Sequence, residues 1–238
     1  MLRAVTFDFW GTLYQNAYAV EERLDLIAAA LERYDQDRGL DELKAAYDHG
    51  GSVWDAVWRG EQRFIPIERW MDEFLTHVGV DLPDRAVSRL GRAVEDVYLD
   101  TDTPRPVPGV ISVVSHLAET YRLGLISDTG LTPGRVLREV MRRDGLLSHF
   151  EALTFSDELG TAKPKPEPFL HTLDSLQADP DEVAHVGDLP ETDLAGARRV
   201  GMKAVLFLGV SHREDGRELA DAVFADYDEL PALLESLG

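Results

Sequence analysis

Short apolar segments recur along the chain, and each ends in a polar or glycine-containing turn. Such segments, bounded by turn residues, are typical of buried β-strands. The predicted strands are Ala4–Phe7, Leu123–Ile126, Leu153–Phe155, Val183–Val186 and Ala204–Leu208, with Ala222–Ala225 as a sixth strand at an edge. Helical periodicity lies between them, at Val110–Glu119, Pro133–Arg143, Glu167–Leu176, Leu194–Val200 and Tyr227–Leu237. Because strands that alternate with helices pair in parallel, the pattern predicts a doubly wound α/β sheet.

The span between the first two strands breaks this alternation and contains no convincing strand. Consecutive helices are expected there, at Val20–Tyr34, Asp41–Asp48, Val53–Arg59, Ile67–Val78 and Asp84–Leu99. The proline-dense run Thr101–Gly109 then returns the chain to the α/β part and suits a stiff linker. We therefore expect two domains, an α/β core made of residues 1–13 and 103–238 and an inserted, all-helical cap made of residues 14–102.

Composition narrows the classes of partner and chemistry. The net charge of -20 over 238 residues disfavours nucleic acids and anionic membranes as partners, because both need a basic face. No stretch approaches a membrane span and no secretory signal is evident, so we expect a cytoplasmic protein, monomeric or homodimeric. The absence of cysteine excludes disulfides, thiolate metal sites and a cysteine nucleophile.

Polar side chains stand where several predicted strands end. Asp8, Ser127 and Asp188 each follow a strand, and Lys163 lies in the loop after another. Ligands of doubly wound sheets bind beyond these carboxyl ends. An aspartate there can act as a nucleophile and bind a cation, and a serine with the following backbone amides can hold phosphate oxygens. Taken separately, most of these polar residues also suit ordinary helix capping.

Two further features of these loops favour phosphate and metal chemistry. Lys163, one of only four lysines, lies in a proline-stiffened turn, which fixes its charge where it would neutralise an anion. Asp193 follows Asp188 near the start of the next helix and can turn back toward it. Together with Asp8, these two carboxylates would form a hard, oxygen-rich pocket suited to Mg²⁺.

Four segments, in this order, resemble the motifs of the haloacid dehalogenase-like (HAD) hydrolase superfamily. They are Asp8-Phe-Trp-Gly-Thr12, the strand that ends in Ser127-Asp128, the Lys163-Pro-Lys-Pro166 turn, and Gly187-Asp188 followed by Asp193. The helical insert also matches the common HAD cap in position. The resemblance implies a hydrolase that acts on a small phosphorylated or halogenated organic molecule.

For a phosphatase of this superfamily, the resemblance implies roles for individual residues. Asp8 would attack phosphorus and form an aspartyl-phosphate, Lys163 would offset the developing charge, and Ser127 would hold a phosphoryl oxygen. Thr12 and Asp128 would join Ser127 and Lys163 in substrate binding. The metal ligands implied for Mg²⁺ are Asp8, the backbone carbonyl of Trp10 and Asp188, with Asp193 as outer support.

Trp10 departs from the phosphatase pattern, which has an aspartate at this position as general acid and base. A tryptophan offers the same backbone carbonyl to the metal, but its side chain cannot transfer the proton. Loss of a positioned acid or base typically costs about 10²–10⁴-fold in rate. A phosphatase would then need a surrogate such as Asp128 or a cap carboxylate, or a leaving group that requires no proton.

Two other functions stay open at the sequence level. The 2-haloacid dehalogenases carry an aromatic residue at the position of Trp10. For an apolar pocket that binds a carboxylate or halide, the cap offers Trp54, Trp58, Arg59, Arg63, Phe64 and Trp70. Helix packing is favoured for Trp54 and Trp70. Those metal-free enzymes lack the aspartate equivalent to Asp188, which ranks them second. A non-catalytic, Mg²⁺-binding protein of the HAD fold is the third possibility.

Overall fold

The computed structural model of the protein describes all 238 residues. Six parallel strands form one sheet in the order β3-β2-β1-β4-β5-β6. The strands are β1 (Ala4–Phe7), β2 (Arg122–Ser127), β3 (Ala152–Phe155), β4 (Val183–Gly187), β5 (Lys203–Phe207) and β6 (Ala222–Phe224). The prediction of a doubly wound α/β sheet is confirmed. The strand order reverses between β1 and β4, the point where such sheets bind their ligands.

Ten helices accompany the sheet. They are α1 (Val20–Glu32), α2 (Leu40–Glu61), α3 (Ile67–Val78), α4 (Asp84–Glu95), α5 (Val110–Leu117), α6 (Gly134–Arg143), α7 (Ser156–Leu159), α8 (Pro166–Leu176), α9 (Ala195–Val200) and α10 (Leu230–Leu237). None of them combines the length and the apolar character needed to cross a bilayer.

The core lies on both faces of the sheet because side chains alternate along each strand. On β1, Val5 and Phe7 join a cluster of 28 buried apolar residues, whereas Ala4 joins a second cluster of 13. The larger cluster includes apolar side chains of α5, α6 and α10, and the smaller one those of α8 and α9. Helices therefore cover both faces, as a parallel sheet of this kind requires.

Helices α1–α4 pack around an apolar cluster of their own, between β1 and β2 in the chain. The prediction of two helices at Asp41–Asp48 and Val53–Arg59 is wrong, since α2 runs unbroken through Gly50-Gly51. A Cβ added at Gly50 would lie 2.6 Å from Nε1 of Trp70 on α3, so this glycine lets the two helices approach closely. Close packing thus outweighs the low helix propensity of glycine.

The end of α2 contacts the loop that carries Lys163. The backbone N–H of Ala162 donates to the carbonyl of Gln62 at 3.0 Å, and Nζ of Lys165 donates to the carbonyl of Glu61 at 2.8 Å. The helical insert therefore contacts the loop between α7 and α8, which carries Lys163.

Candidate active site

The polar residues that follow β1 and β4 converge on one cavity of about 600 Å³, bounded by the strand ends and by α1 and α2. Asp8, Lys163, Asp188 and Asp193 all line it, and each is at most 6% exposed. Trp10 and Asp128 also line the cavity. Because β1 and β4 are hydrogen-bonded neighbours, Asp8 and Asp188 lie at adjacent positions on the same edge of the sheet.

Lys163 forms the centre of the charged group. Its Nζ donates to Oδ1 of Asp8 at 2.5 Å and to Oδ1 of Asp193 at 2.6 Å. Burial by itself would lower the pKa of this lysine, but the two aspartates raise it above its ordinary value. Lys163 therefore carries a permanent positive charge beside the carboxylate expected to act as nucleophile.

The three aspartates of the cluster titrate in different directions. Burial raises the pKa of Asp8 well above its ordinary value, although Lys163 opposes this effect. Burial, together with Asp193, also raises the pKa of Asp188 to about 7. Asp193 behaves in the opposite way: burial would raise its pKa, but Lys163 and His185 hold it well below the usual range. Asp193 is thus the permanently charged member of the three.

Two glycines allow the acidic cluster to form. A Cβ at Gly11 would lie 2.3 Å from Oδ2 of Asp188, and one at Gly187 would lie 2.3 Å from Cγ of Asp193. Gly11 also has a φ of 71°, in the left-handed region that glycine adopts without strain. Both positions need glycine because backbone and carboxylate occupy the space of a side chain.

The donor set suits a divalent cation. Single carboxylate oxygens of Asp8, Asp188 and Asp193 lie within 4.8 Å of one another. Oδ1 of Asp188 is buried without any hydrogen-bond partner, whereas both oxygens of Asp193 are engaged, by Lys163 and by the backbone N–H of Leu189. A buried, unpaired carboxylate oxygen beside other carboxylates fits a hard cation such as Mg²⁺.

The other predicted substrate-binding residues, Thr12, Ser127 and Asp128, differ in whether they line the cavity. Ser127 and Thr12 are buried and are not part of the cavity wall. Oγ1 of Thr12 has no hydrogen-bond partner, and Oγ of Ser127 has only a long contact of 3.4 Å to the carbonyl of Asp128. Asp128 is held from two sides, since Oδ1 accepts from the backbone N–H of Lys163 at 3.0 Å and Oδ2 accepts from Nε1 of Trp58 at 2.9 Å.

Two supporting residues, His185 and Ser211, escaped the sequence-level predictions, and for Trp58 the contact with Asp128 was not predicted. His185 lies 3.4 Å from Asp193 through Nε2 and is hydrogen-bonded to Thr6 through Nδ1. Ser211 donates to Oδ2 of Asp188, and Trp58 on α2 donates to Oδ2 of Asp128. A histidine inside an apolar strand was a usable signal for His185. No local pattern marks Ser211, which lies far along the chain from Asp188.

Aromatic side chains form the upper wall of the cavity. Trp10 packs edge-on against Phe9 with ring centroids 4.8 Å apart, and Trp54 stacks on Trp58 at 5.1 Å. Trp70 belongs to the apolar cluster of helices α1–α4 and also lines the cavity. The expectation of helix packing therefore fits Trp70, but Trp54 is half-buried in the cavity wall.

The fold and this arrangement of residues define the class of protein. The chain belongs to the haloacid dehalogenase-like hydrolase family, whose sequence model matches residues 2–201, and it is a hydrolase. It is 28% identical over 218 residues to a glyceraldehyde 3-phosphate phosphatase of Methanopyrus kandleri, covering 86% of this chain and 83% of that protein. A ribulose-1,5-bisphosphate 5-phosphatase of Halopiger xanaduensis is 31% identical over 235 residues, with coverages of 93% and 90%.

A solved structure extends the similarity over the whole chain. The crystal structure of a 2-haloacid dehalogenase from Pseudomonas syringae pv. Tomato superimposes with a TM-score of 0.75, at 26% sequence identity and full coverage of both chains. Phosphatases and a dehalogenase are therefore both among the proteins that this chain resembles, and the site itself has to distinguish the two reactions.

Proposed function

We propose that this protein is a Mg²⁺-dependent phosphatase of a small phosphorylated metabolite and that it acts through an aspartyl-phosphate at Asp8. One observation carries the proposal: Asp8 lies at the cavity floor, paired with Lys163, with Asp188 and its unpaired oxygen beside it. An acidic cluster of this kind supplies the ligands for a cation that binds phosphate, which displacement of a halide does not require. The similarity to curated phosphatases supports the same reaction.

The first step is attack by the Asp8 carboxylate on phosphorus. A bond forms between the Asp8 oxygen and phosphorus, the bond to the leaving oxygen breaks, and that oxygen takes up a proton. Lys163, 2.5 Å from Oδ1 of Asp8, offsets the negative charge on the phosphoryl oxygens. Mg²⁺, held by Asp8, Asp188 and the carbonyl of Trp10 with support from Asp193, would supply further positive charge when bound. Water then attacks phosphorus and releases Asp8 and inorganic phosphate.

The proton for the leaving oxygen needs a source other than Trp10. The carboxylates that line the cavity outside the acidic cluster are Asp55 and Asp128. Asp55 is half-exposed, and its carboxylate is already engaged by Arg59 at 2.8 Å. Burial raises the pKa of Asp128, although Lys163 and Trp58 oppose this. Asp128 is therefore the surrogate acid that we infer.

The central test is hydrolysis of p-nitrophenyl phosphate, with and without Mg²⁺, by the wild type and by Asp8→Asn. The leaving group is stable without a proton, so the assay does not depend on the acid. We expect Mg²⁺-dependent turnover that Asp8→Asn abolishes. Turnover that survives Asp8→Asn would contradict the aspartyl-phosphate, and no turnover by either protein would favour a binding function.

The role of Asp128 is tested by comparing leaving groups. Asp128→Asn is expected to lower kcat on an alkyl phosphate by about 10²-fold or more, and to lower kcat on p-nitrophenyl phosphate much less. Asp55→Asn is the matched control, because it removes the other carboxylate and should affect both substrates alike. Equal losses on both substrates in Asp128→Asn would show that its role is structural.

A 2-haloacid dehalogenase is the second candidate, favoured by the structural similarity to such an enzyme and by the aromatic Trp10 at the cavity wall. In that reaction Asp8 would attack carbon and halide would leave unprotonated. Halide release from 2-haloacids, independent of Mg²⁺, would support it.

A cytoplasmic location and a monomeric or homodimeric state stay predictions from the sequence.

A further inference from the structure

Arg23 on α1 is the only buried arginine of the chain, with 4% exposure, and it lies in the wall of the active-site cavity. The reaction derived above gives it no task. Its Nε donates to the carbonyl of Val94 at 3.1 Å, Nη1 to the carbonyl of Tyr18 at 2.6 Å, and Nη2 to Oγ1 of Thr132 at 2.8 Å. All three acceptors are neutral, so they fix the orientation of the guanidinium without cancelling its charge.

The charge of Arg23 is the one cationic charge of the cavity that no carboxylate neutralises. Lys163 pairs with two aspartates, and Arg59 pairs with Asp55 and Glu191 at the half-exposed rim. A guanidinium stays protonated when buried, and a buried charge is costly unless it is paired. In a protein of net charge -20, a cavity cation without an acidic partner points to an anionic ligand.

The free donors of Arg23 have a defined geometry. A guanidinium has five N–H groups, and three of them are used by the protein, which leaves one on Nη1 and one on Nη2. Nη1 and Nη2 of one planar guanidinium can donate together to the two oxygens of a carboxylate. A single unpaired positive charge also balances a singly charged group better than a second, doubly charged phosphate.

Arg23 makes no hydrogen bond to Asp8 or its charged neighbours, but it lines the same cavity. Arg23 and Trp10 both lie near the ring of Tyr98, with the guanidinium carbon 5.6 Å and the Trp10 ring 6.2 Å from the Tyr98 centroid. Arg23 comes from the cap and Asp8 from the sheet, so one ligand that contacts both spans the cavity of about 600 Å³. This volume admits a small metabolite with an anionic group at either end.

We propose that Arg23 binds a carboxylate on the organic part of the substrate, so that the substrates are phosphorylated carboxylic acids. The proposal rests on the proposed phosphatase function only in that the other end of the ligand is a phosphoryl group at Asp8. Arg23 is a specificity-determining residue in this scheme and takes no part in bond breaking.

The test uses two substrates that differ only by a carboxylate, O-phosphoserine and O-phosphoethanolamine. We expect the wild type to prefer phosphoserine in kcat/KM by about 10- to 100-fold. This is the factor in affinity that a hydrogen bond to a charged group usually contributes. In Arg23→Gln this ratio should collapse to near one, mainly through a higher KM for phosphoserine. Arg59→Gln, which removes the cavity arginine that is already paired, should keep the ratio. No preference in wild type, or an undiminished one in Arg23→Gln, would overturn the proposal.

Arg23 also joins α1 to α4 through Val94 and to the segment of Thr132. A second measurement therefore uses the wild type alone and does not depend on the folding of Arg23→Gln. Phosphonoacetate and acetonylphosphonate differ in whether the end group is a carboxylate or a neutral acetyl group. Their dissociation constants, measured by calorimetry without any turnover, should favour phosphonoacetate by about tenfold or more. Equal constants would refute the role of Arg23. If both ligands bind while p-nitrophenyl phosphate is not hydrolysed, the phosphatase proposal fails separately.

Discussion

Replacing Lys163 by methionine removes the positive charge at the centre of the site and keeps a stem of similar length. Lys163 is 3% exposed and holds Asp8 and Asp193 at 2.5 and 2.6 Å. Removing one partner of a buried ion pair typically costs about 3–5 kcal/mol, because the remaining charge stays buried without compensation. We expect a loss of this size in the free energy of unfolding at pH 8 in EDTA.

Lys165→Met is the matched control for this change. It lies two residues away in the same loop, and its Nζ makes one hydrogen bond, to the carbonyl of Glu61 at 2.8 Å. Its removal should cost about 1 kcal/mol or less. Both free energies are measured by urea denaturation, with the slope against urea compared to exclude a change in the unfolded state.

The pH dependence gives the sign of the effect independently. Without Lys163, the uptake of a proton by Asp8 relieves the uncompensated charge, so the deficit of Lys163→Met should shrink between pH 8 and pH 5. A Lys163→Met protein as stable as Lys165→Met at pH 8 would refute the electrostatic reasoning. So would a deficit that is independent of pH, since that would indicate a loss of packing alone.

Three other perturbations address the metal site, the cap and the first motif. Burial, with Asp193, raises the pKa of Asp188 to about 7, so Mg²⁺ competes with a proton for this carboxylate below that pH. The apparent affinity for Mg²⁺, measured by calorimetry, should rise up to about tenfold per pH unit toward pH 7 and then level off. An affinity that stays constant from pH 5.5 to 8 would contradict this. Gly50→Ala would place a Cβ 2.6 Å from Trp70 and should lower the free energy of unfolding by about 1–2 kcal/mol, net of the higher helix propensity of alanine. A Cβ added at Gly51 would have nothing within 4 Å, so Gly51→Ala should raise the free energy of unfolding by about 0.5–1 kcal/mol. Equal changes in the two variants would refute the packing explanation. Trp10→Asp should raise kcat on alkyl phosphates by about tenfold or more relative to p-nitrophenyl phosphate. Unchanged or lower rates in a folded variant would indicate a site specialised for other chemistry.

The helix and strand pattern was readable because it depends on local periodicity. All six strands were predicted to within a residue or two, since a parallel strand buried on both faces is a short apolar run with turn residues at its ends. The prediction of two helices in place of α2 was wrong because it also rested on local periodicity alone. Gly50-Gly51 reads locally as a break, and only the contact of Gly50 with Trp70 on α3 explains why the helix continues.

Some residues of the candidate site were predictable from local sequence patterns, and others were not. Asp8, Lys163, Asp188 and Asp193 were predictable because strand ends and a proline-stiffened turn mark them in the sequence. Ser211 contacts Asp188 and Trp58 contacts Asp128, and no local sequence feature marks either contact. Their roles depend on contacts across 23 and 70 residues, which no local pattern encodes.

The sequence by itself determined the fold, the family motifs and the absence of the usual acid at Trp10, because each is written in residue type and short-range spacing. Only the tertiary structure decided which charges are neutralised. It pairs Lys163 with two aspartates, leaves an oxygen of Asp188 unpaired and leaves Arg23 without an acid, although all are charged residues in the sequence. The physical reason is that a charge is compensated by groups a few ångströms away in space, and the fold alone sets those neighbours.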